Sequence, residues 1–137
     1  MRLQNKIAIV TGAGGGFGEG VARRFADEGA KVAVVDIRAA EAERVAREIG
    51  AAAVALEADV GDADDVQRVV DQTKARFGAP NILVNNAGVT HKNRPLLEVD
   101  EAMFDHIFRV NVKSIFHFVR SIAPIMRDNG GGVILNV

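Results

Sequence analysis

The sequence predicts one α/β domain over residues 1–137, built on a doubly wound parallel sheet of five strands in the order 3-2-1-4-5. Two observations support this prediction. Short apolar runs alternate with amphipathic helical patterns along the chain, and this alternation is typical of a parallel sheet covered by helices on both faces. The runs are apolar at nearly every position, as strands buried on both faces require. No internal repeat, linker or low-complexity tract divides the chain into smaller units.

Three strand–helix units are predicted in the first part of the chain. Apolar runs predict strands at 7–10, 31–35 and 53–58. Helical spacing of apolar side chains predicts helices at 16–28 and 41–49, and a third that continues from a cap at residue 62 to about residue 77.

Side chains indicate the faces and the ends of these helices. In the first helix, Phe17, Val21 and Phe25 recur every four residues and are expected to form its buried face. Asp62 is the expected N-cap of the third helix, and Asp65 occupies the acidic position of a capping box three residues later.

The second part of the chain predicts two more strands and one long helix. The strands are expected at 82–84 and 133–137, and residues 89–99 form a polar loop. Asp100 begins a helix that reaches about residue 127, in which Pro124 is expected to cause a kink or an early end.

Composition restricts the class of protein. The 17 basic and 18 acidic side chains leave a formal net charge of -1 without any run of like charge, so the charge pattern does not support a nucleic-acid or membrane-surface partner. The absence of cysteine excludes disulfides, thiolate metal sites and cysteine nucleophiles, and the histidines lack metal-ligand spacing. Residues 1–6 are polar and precede only a short apolar run, so we expect neither a signal peptide nor a membrane span, and a cytoplasmic location.

A glycine-rich segment, the glycine loop (residues 12–18), joins the first strand to the first helix. Glycine permits a tight turn and lets a ligand approach the backbone where no Cβ intervenes. Unpaired N–H groups and the helix dipole attract anions at a helix start, so the segment predicts a diphosphate-binding site. A glycine-rich turn without a ligand is the alternative. The residues of this predicted site are Gly12, Gly14, Gly15, Gly16, Phe17 and Gly18.

Asp36 ends the second predicted strand, 18 residues after Gly18. A carboxylate at this point can accept hydrogen bonds from both ribose hydroxyls of an adenosine and would repel a 2′-phosphate, which favours NAD over NADP as the cofactor. Arg38 lies two residues later and its positive charge could bind a 2′-phosphate, so NADP remains an alternative cofactor. Taken alone, Asp36 could be a polar residue at a strand end.

Four motifs occur in an order and spacing that resemble the short-chain dehydrogenase/reductase family. They are Thr11-Gly12-x-x-x-Gly16-x-Gly18, Asp59-Val60, Asn85-Asn86-Ala87-Gly88 and Asn111. The resemblance covers the entire chain and implies a Rossmann-like fold in a homo-oligomer, a dimer or a tetramer. It also implies hydride transfer between NAD(H) and a small alcohol or carbonyl substrate. Similar members include 3-oxoacyl-thioester reductases and dehydrogenases of sugars and secondary alcohols.

The resemblance also implies roles for individual residues. Asn111 would hold a water that connects the proton relay to solvent, and Asp59 with Val60 would flank the adenine. Asn85 and Ala87 would stabilise the sheet and contact the cofactor. Structural alternatives stay open, because Asp59 could begin a turn, residues 85–88 could be a polar turn, and Asn111 could make a structural hydrogen bond. Besides the glycine loop, the implied cofactor contacts are Asp36, Ile37, Asp59, Val60, Asn86, Ala87 and Gly88.

The catalytic residues that the resemblance implies are a serine and the tyrosine and lysine of a Tyr-x-x-x-Lys motif. The chain contains no tyrosine, and its two serines, Ser114 and Ser121, lie in the predicted long helix. We therefore expect the catalytic residues, and the C-terminal strands and helices, to be absent from these 137 residues. A fragment is favoured over a natural half-length protein, because the strand at 133–137 would otherwise be an uncovered apolar edge.

Two other functions remain open at this point. One is a non-catalytic dinucleotide-binding module or regulatory subunit, which would bind NADH without turnover. The other is a methyltransferase, whose sheet also combines a glycine loop with an acidic strand end and which would bind S-adenosylmethionine. The segment Asn85-Asn86-Ala87-Gly88 argues against the methyltransferase.

Overall fold

A computed structural model describes residues 1–137 and contains one sheet of five strands. Its strands are β1 (Ile7–Thr11), β2 (Lys31–Asp36), β3 (Ala53–Glu57), β4 (Ile82–Asn85) and β5 (Val133–Asn136). They lie in the order β3-β2-β1-β4-β5, and every neighbouring pair is parallel. The predicted doubly wound, Rossmann-like sheet and its strand order are confirmed.

Five α-helices connect and cover the strands. They are α1 (Gly16–Asp27), α2 (Ala39–Ile49), α3 (Ala63–Phe77), α4 (Glu101–Phe108) and α5 (Ser114–Asp128). A single 3-10 turn, Leu96–Glu98, lies in the segment that was expected to be an irregular loop. None of the helices is both long enough and apolar enough to span a membrane.

The core is divided between the two faces of the sheet. Ile9 and Leu83 point to the face covered by α3 and α5, whereas their neighbours Val10 and Val84 point to the face covered by α1 and α2. All four side chains are fully buried. Because successive side chains of a strand point to opposite faces, a strand covered on both sides must be apolar at every position.

The buried face of α1 differs from the prediction. Phe17 is 86% exposed, and the buried positions of the helix are Gly18 and Ala22. Val21 and Phe25 are only partly buried at the margin of the core. The reason is close packing at the helix start, since a Cβ on Gly18 would lie 2.3 Å from the carbonyl oxygen of Gly12. Only small side chains fit between this part of α1 and the sheet.

The predicted long helix is interrupted at its centre. A π turn, Arg109–Lys113, separates α4 from α5, and helical periodicity alone did not predict it. Pro124 does not end the helix, because α5 continues to Asp128. Both Pro124 and Arg120 are exposed, so water can bond to the carbonyl oxygen that the proline leaves without a donor.

The start of α3 forms half of the predicted capping box. The Asp62 carboxylate accepts from the N–H of Asp65 at 2.9 Å, as expected. The Asp65 carboxylate instead accepts from the N–H of Asp59 at 2.8 Å, because the chain after β3 turns back over the helix start. Hydrogen bonds from Arg68 and from this N–H keep the pKa of Asp65 below its usual value.

Candidate functional site

A cleft of about 420 Å³ lies at the carboxyl edge of the sheet. Loops after β1, β2, β3 and β4 contribute to it, and the end of α4 and the π turn form its far wall. The connections from β1 and β4 leave toward opposite faces of the sheet, and this is the position where doubly wound sheets bind ligands. The cleft contains these predicted site residues: Gly12, Asp36, Ile37, Asp59, Val60, Asn86, Ala87 and Gly88.

Other predicted residues lie outside the cleft lining. The rest of the glycine loop precedes and begins α1, and Gly16 and Phe17 line a shallow groove along that helix. Asn111 lies in the π turn, behind the cleft wall. Arg38, which was considered only for NADP, also lines the cleft. Residues that line the cleft without having been predicted are Ala58, Val89, His106, Arg109 and Val110. No motif in the sequence indicates them, because the π turn decides which side of the helical segment faces the cleft.

The glycine loop presents unpaired N–H groups. The first intrahelical bond of α1 goes from the N–H of Glu19 to the carbonyl oxygen of Gly15 at 3.1 Å, so the N–H groups before it have no helical acceptor. A Cβ on Gly16 would meet no atom within 4 Å, although its φ of 55° favours glycine. The loop therefore combines free donors with open space at one glycine.

The β4 end holds the glycine loop in place. The Thr11 hydroxyl accepts from the N–H groups of Asn86 and Ala87, both at 3.0 Å, and donates to the carbonyl oxygen of Val84. The Asn86 side chain donates to the carbonyl oxygens of Thr11 and Gly12 at 3.1 and 3.3 Å. These bonds cross-link the ends of the two central strands, and they give the cleft a rigid floor.

Asn85 takes no part in the cleft. Its buried side chain donates to Asn136 on β5 at 2.9 Å, so the amide links two strands of the sheet. Its own side-chain oxygen has no hydrogen-bond partner.

Asp36 is buried at the end of β2, with 7% of its side chain exposed. Its Oδ2 accepts from the N–H of Gly14 at 2.9 Å, and its Oδ1 accepts from the N–H of Arg38 at 2.9 Å. A Cβ on Gly14 would lie 2.8 Å from the carboxylate, so this contact requires glycine. The Oδ1 also accepts from Nε of Arg38 at 3.3 Å. A carboxylate offers about four acceptor positions, so Asp36, which lines the cleft, keeps about one of them unless Arg38 moves away.

Both carboxylate oxygens of Asp59 bond to other groups of the protein. Its Oδ1 accepts from the N–H of Gly61 at 2.9 Å, which is the turn that the structural alternative proposed. Its Oδ2 forms an ion pair with Arg109 of the π turn at 2.9 Å. Asp59 thus begins a turn and also lines the cleft, beside the buried Val60.

Asn111 makes two hydrogen bonds to one residue of the loop after β4. Its Oδ1 accepts from the N–H of Val89 at 2.7 Å, and its Nδ2 donates to the carbonyl oxygen of Val89 at 2.8 Å. The structural alternative for Asn111 therefore describes an observed contact. Each polar atom keeps capacity for one more bond, so the implied role in holding a water stays a prediction.

We expect Asn111→Ala to destabilise the protein by about 1–2 kcal/mol, because both polar groups of the Val89 backbone lose a partner. Urea unfolding measures this loss. Asn93→Ala is the matched control, since Asn93 is an exposed asparagine of the same loop, four residues after Val89. Equal unfolding midpoints for the two variants would show that the pair of bonds to Val89 contributes nothing.

The protein contains no group of three or more histidine, cysteine, aspartate or glutamate side chains that could hold a metal ion.

The chain is similar to a protein family and to individual dehydrogenases. A family model described as short chain dehydrogenase matches residues 6–137. The chain is 43% identical over 140 residues to 4-formylbenzenesulfonate dehydrogenase of Comamonas testosteroni, covering 100% of this chain and 56% of that protein. It is 39% identical over 136 residues to galactitol 2-dehydrogenase of Agrobacterium fabrum, covering 98% of this chain and 53% of that protein.

A solved structure matches the fold with a TM-score of 0.96 and 47% identity. It is the crystal structure of 3-ketoacyl-(acyl-carrier-protein) reductase from Brucella melitensis complexed with NADH, and the match covers 98% of this chain and 57% of that chain. The chain thus spans about half the length of the relatives that it matches.

Proposed function

The chain belongs to the short-chain dehydrogenase family, and from this membership we propose that residues 1–137 form the NAD(H)-binding part of an oxidoreductase. The observation that carries the proposal is the contact between the glycine loop and Asp36: the N–H of Gly14 donates to the Asp36 carboxylate, and Gly12 and Asp36 both line the cleft. Free N–H groups suit a diphosphate, and a carboxylate suits the two hydroxyls of a ribose. The NADH complex of the structural relative supports the same assignment.

The residues present fit a dinucleotide. Gly16 leaves open space where an L side chain would project, so a ligand can approach the backbone there. Ile37 lines the cleft although 63% of its surface is exposed, and an exposed apolar side chain suits a flat aromatic base. Ala58 and Val60 add an apolar wall. The cleft is therefore polar where phosphate and ribose would lie and apolar where adenine would lie.

We assign the parts of the cofactor as follows. The N–H groups of the glycine loop would hold the diphosphate, Asp36 would hold the adenine ribose, and Ile37 with Val60 would contact the adenine. When bound, NAD(H) supplies or accepts the hydride. The cross-linked β4 end, with Ala87 and Gly88 in the cleft lining, would orient the ligand without having to reorganise.

Proton transfer is a second requirement of the proposed reaction. The resemblance implies a tyrosine, a lysine and a serine for that step, and the chain has no tyrosine. We therefore propose that residues 1–137 are not active alone and that the whole protein transfers hydride between NAD(H) and an alcohol or carbonyl. The names of the relatives refer to a formyl compound, a polyol and a 3-ketoacyl group. These compounds have only an alcohol or a carbonyl group in common.

We also propose a cytoplasmic homo-oligomer. An apolar stripe on the exposed side of α4, the π turn and α5 supports self-association, because exposed apolar patches of this kind mark contact surfaces. Its members are exposed by about half and recur every four residues: Phe104 at 53%, Phe108 at 49%, Val112 at 53% and Phe116 at 54%.

Titration of the purified full-length protein with NADH, NADPH and S-adenosylmethionine tests the proposed function by calorimetry. We expect NADH to bind more tightly than NADPH, because Asp36 repels a 2′-phosphate, and we expect no binding of S-adenosylmethionine. Binding of S-adenosylmethionine without NADH would support the methyltransferase instead. NADH binding without oxidation by any of a panel of carbonyl compounds would support a non-catalytic module.

A further inference from the structure

Arg44 of α2 contacts the glycine loop, although no motif of the sequence includes it. Its Nη2 donates to the carbonyl oxygen of Gly14 at 3.2 Å and to the carboxylate of Glu19 at 2.9 Å. Its Nε donates to Glu41 on the same helix at 3.0 Å. One guanidinium thus joins α2, the glycine loop and the first turn of α1.

Side chains of β2 and α2 form hydrogen bonds with both the N–H and the carbonyl oxygen of Gly14. The N–H of Gly14 donates to Asp36, and its carbonyl oxygen accepts from Arg44. In a planar trans peptide, the carbonyl of Gly14 and the N–H of Gly15 point in opposite directions. The N–H of Gly15 has no acceptor within the protein. By fixing the carbonyl on one side, Arg44 directs this free donor to the other side.

Arg44 also offsets a charge that would oppose an anion. Glu19 lies in the first turn of α1, next to the N–H groups of the glycine loop. Hydrogen bonds from Arg44 and Arg23 hold the pKa of Glu19 at about 2, so its carboxylate stays ionised at neutral pH. Unpaired, this carboxylate would repel a diphosphate at the helix start. Pairing with two guanidinium groups reduces that repulsion.

We propose that Arg44 is a positioning residue for the diphosphate of the dinucleotide. It acts through Gly14 rather than by touching the ligand, since it orients the peptide that carries the free N–H of Gly15. This inference rests on the proposed function, because it names a further residue that shapes the same NAD(H) site. It predicts that cofactor affinity depends on a side chain of α2 that lies outside the cleft lining.

The test compares Arg44→Met with Arg23→Met in the full-length protein. Arg23 pairs with Glu19 and Glu48 in the same network but does not contact the glycine loop, so Arg23→Met removes part of the charge pairing of Glu19 and leaves the bond to Gly14 in place. It is therefore the matched control for the bond to Gly14. We expect Arg44→Met to raise the Kd for NADH by about tenfold, as the loss of one charge-assisted hydrogen bond would, and Arg23→Met to raise it less than about twofold. ADP is the second probe, and its Kd should follow the same pattern because it retains the diphosphate.

The amide resonance of Gly15 provides a readout that needs no ligand. We expect its ¹⁵N and ¹H shifts to move in free Arg44→Met and to stay unchanged in free Arg23→Met. Equal NADH affinities in the two variants, or an unmoved Gly15 resonance, would overturn the positioning role. If the parent protein does not bind NADH, the proposed function fails, while the Gly15 resonance still decides whether Arg44 orients the loop.

If Arg44→Met does not fold, Arg44→Lys provides a second test of the proposal. Lysine keeps the positive charge, but its single ammonium group cannot reach Glu19, Glu41 and the carbonyl oxygen of Gly14 together. We expect Arg44→Lys to weaken NADH binding more than Arg23→Lys does. Equal affinities for the two lysine variants would overturn the proposal.

Discussion

Replacing Gly16 with valine is expected to raise the Kd for NADH at least about 100-fold, which corresponds to about 2.7 kcal/mol of binding free energy. Gly16 belongs to the glycine loop whose N–H groups we propose as the diphosphate site, and its Cβ would meet no protein atom within 4 Å, so we expect a valine side chain to obstruct that site without clashing with the protein. Calorimetry measures the affinity. An unchanged Kd would remove the glycine loop from the proposed binding site.

Thermal unfolding of the Gly16 variant separates a blocked site from a damaged fold. The φ of Gly16 is 55°, and an L residue there costs about 1–2 kcal/mol of stability, more for a branched one. Gly16→Ala is the gentler companion and should also weaken binding. The matched control is Gly20→Ala, since Gly20 lies in the same helix with equally open space. Alanine stabilises a helix by about 0.5–1 kcal/mol relative to glycine. We therefore expect Gly20→Ala to bind NADH with unchanged affinity and to have a slightly higher Tm.

Gly18 would not serve for this test. A Cβ on Gly18 would lie 2.3 Å from the carbonyl oxygen of Gly12 and 2.5 Å from the side-chain nitrogen of Asn86. A substitution there would force the loop itself to move. Gly18 is thus required for packing within the protein, whereas for Gly16 we propose that glycine is required for access of a ligand.

Replacing Asp36 with alanine is expected to weaken NADH binding at least about tenfold and to narrow the difference between NADH and NADPH. The carboxylate would accept from ribose hydroxyls, and each hydrogen bond to a charged group contributes about 1.5–3 kcal/mol. Its loss also removes the repulsion of a 2′-phosphate and frees Arg38, whose Nε lies 3.3 Å from the carboxylate. Parallel titrations with the two cofactors give the ratio.

The ratio of the two affinities matters more than either value. Asp36 also holds the N–H of Gly14, so its removal loosens the glycine loop for both cofactors. Asp36→Asn is the companion variant, because its amide keeps one oxygen for the N–H of Gly14 while it removes the charge and replaces the second acceptor oxygen with a donor. An equal loss of affinity for NADH and NADPH in Asp36→Ala would contradict the ribose role and leave Asp36 as a structural acceptor of the loop.

Much of the site could be predicted because consecutive parallel strands end at the same edge of a sheet. Residues that follow β1, β2, β3 and β4 therefore had to lie near one another once the strands were recognised, and the cleft contains Gly12, Asp36, Val60 and Ala87 together. What could not be predicted was which of these residues use their polar groups within the protein. Asp59 bonds to Arg109, and Asn86 bonds to Thr11, across distances of 50 and 75 residues in the chain.

The sequence by itself determined the five strands, the first three helices, their order along the chain and the edge of the sheet at which the cleft lies. These features depend on local periodicity and on the handedness of short connections, and both can be read from neighbouring residues. Only the tertiary structure decided that Phe17 is exposed, that a π turn places Asn111 against Val89, and that Arg44 holds Gly14. Those outcomes depend on how closely two elements approach, and that distance is decided by packing between residues far apart in the chain.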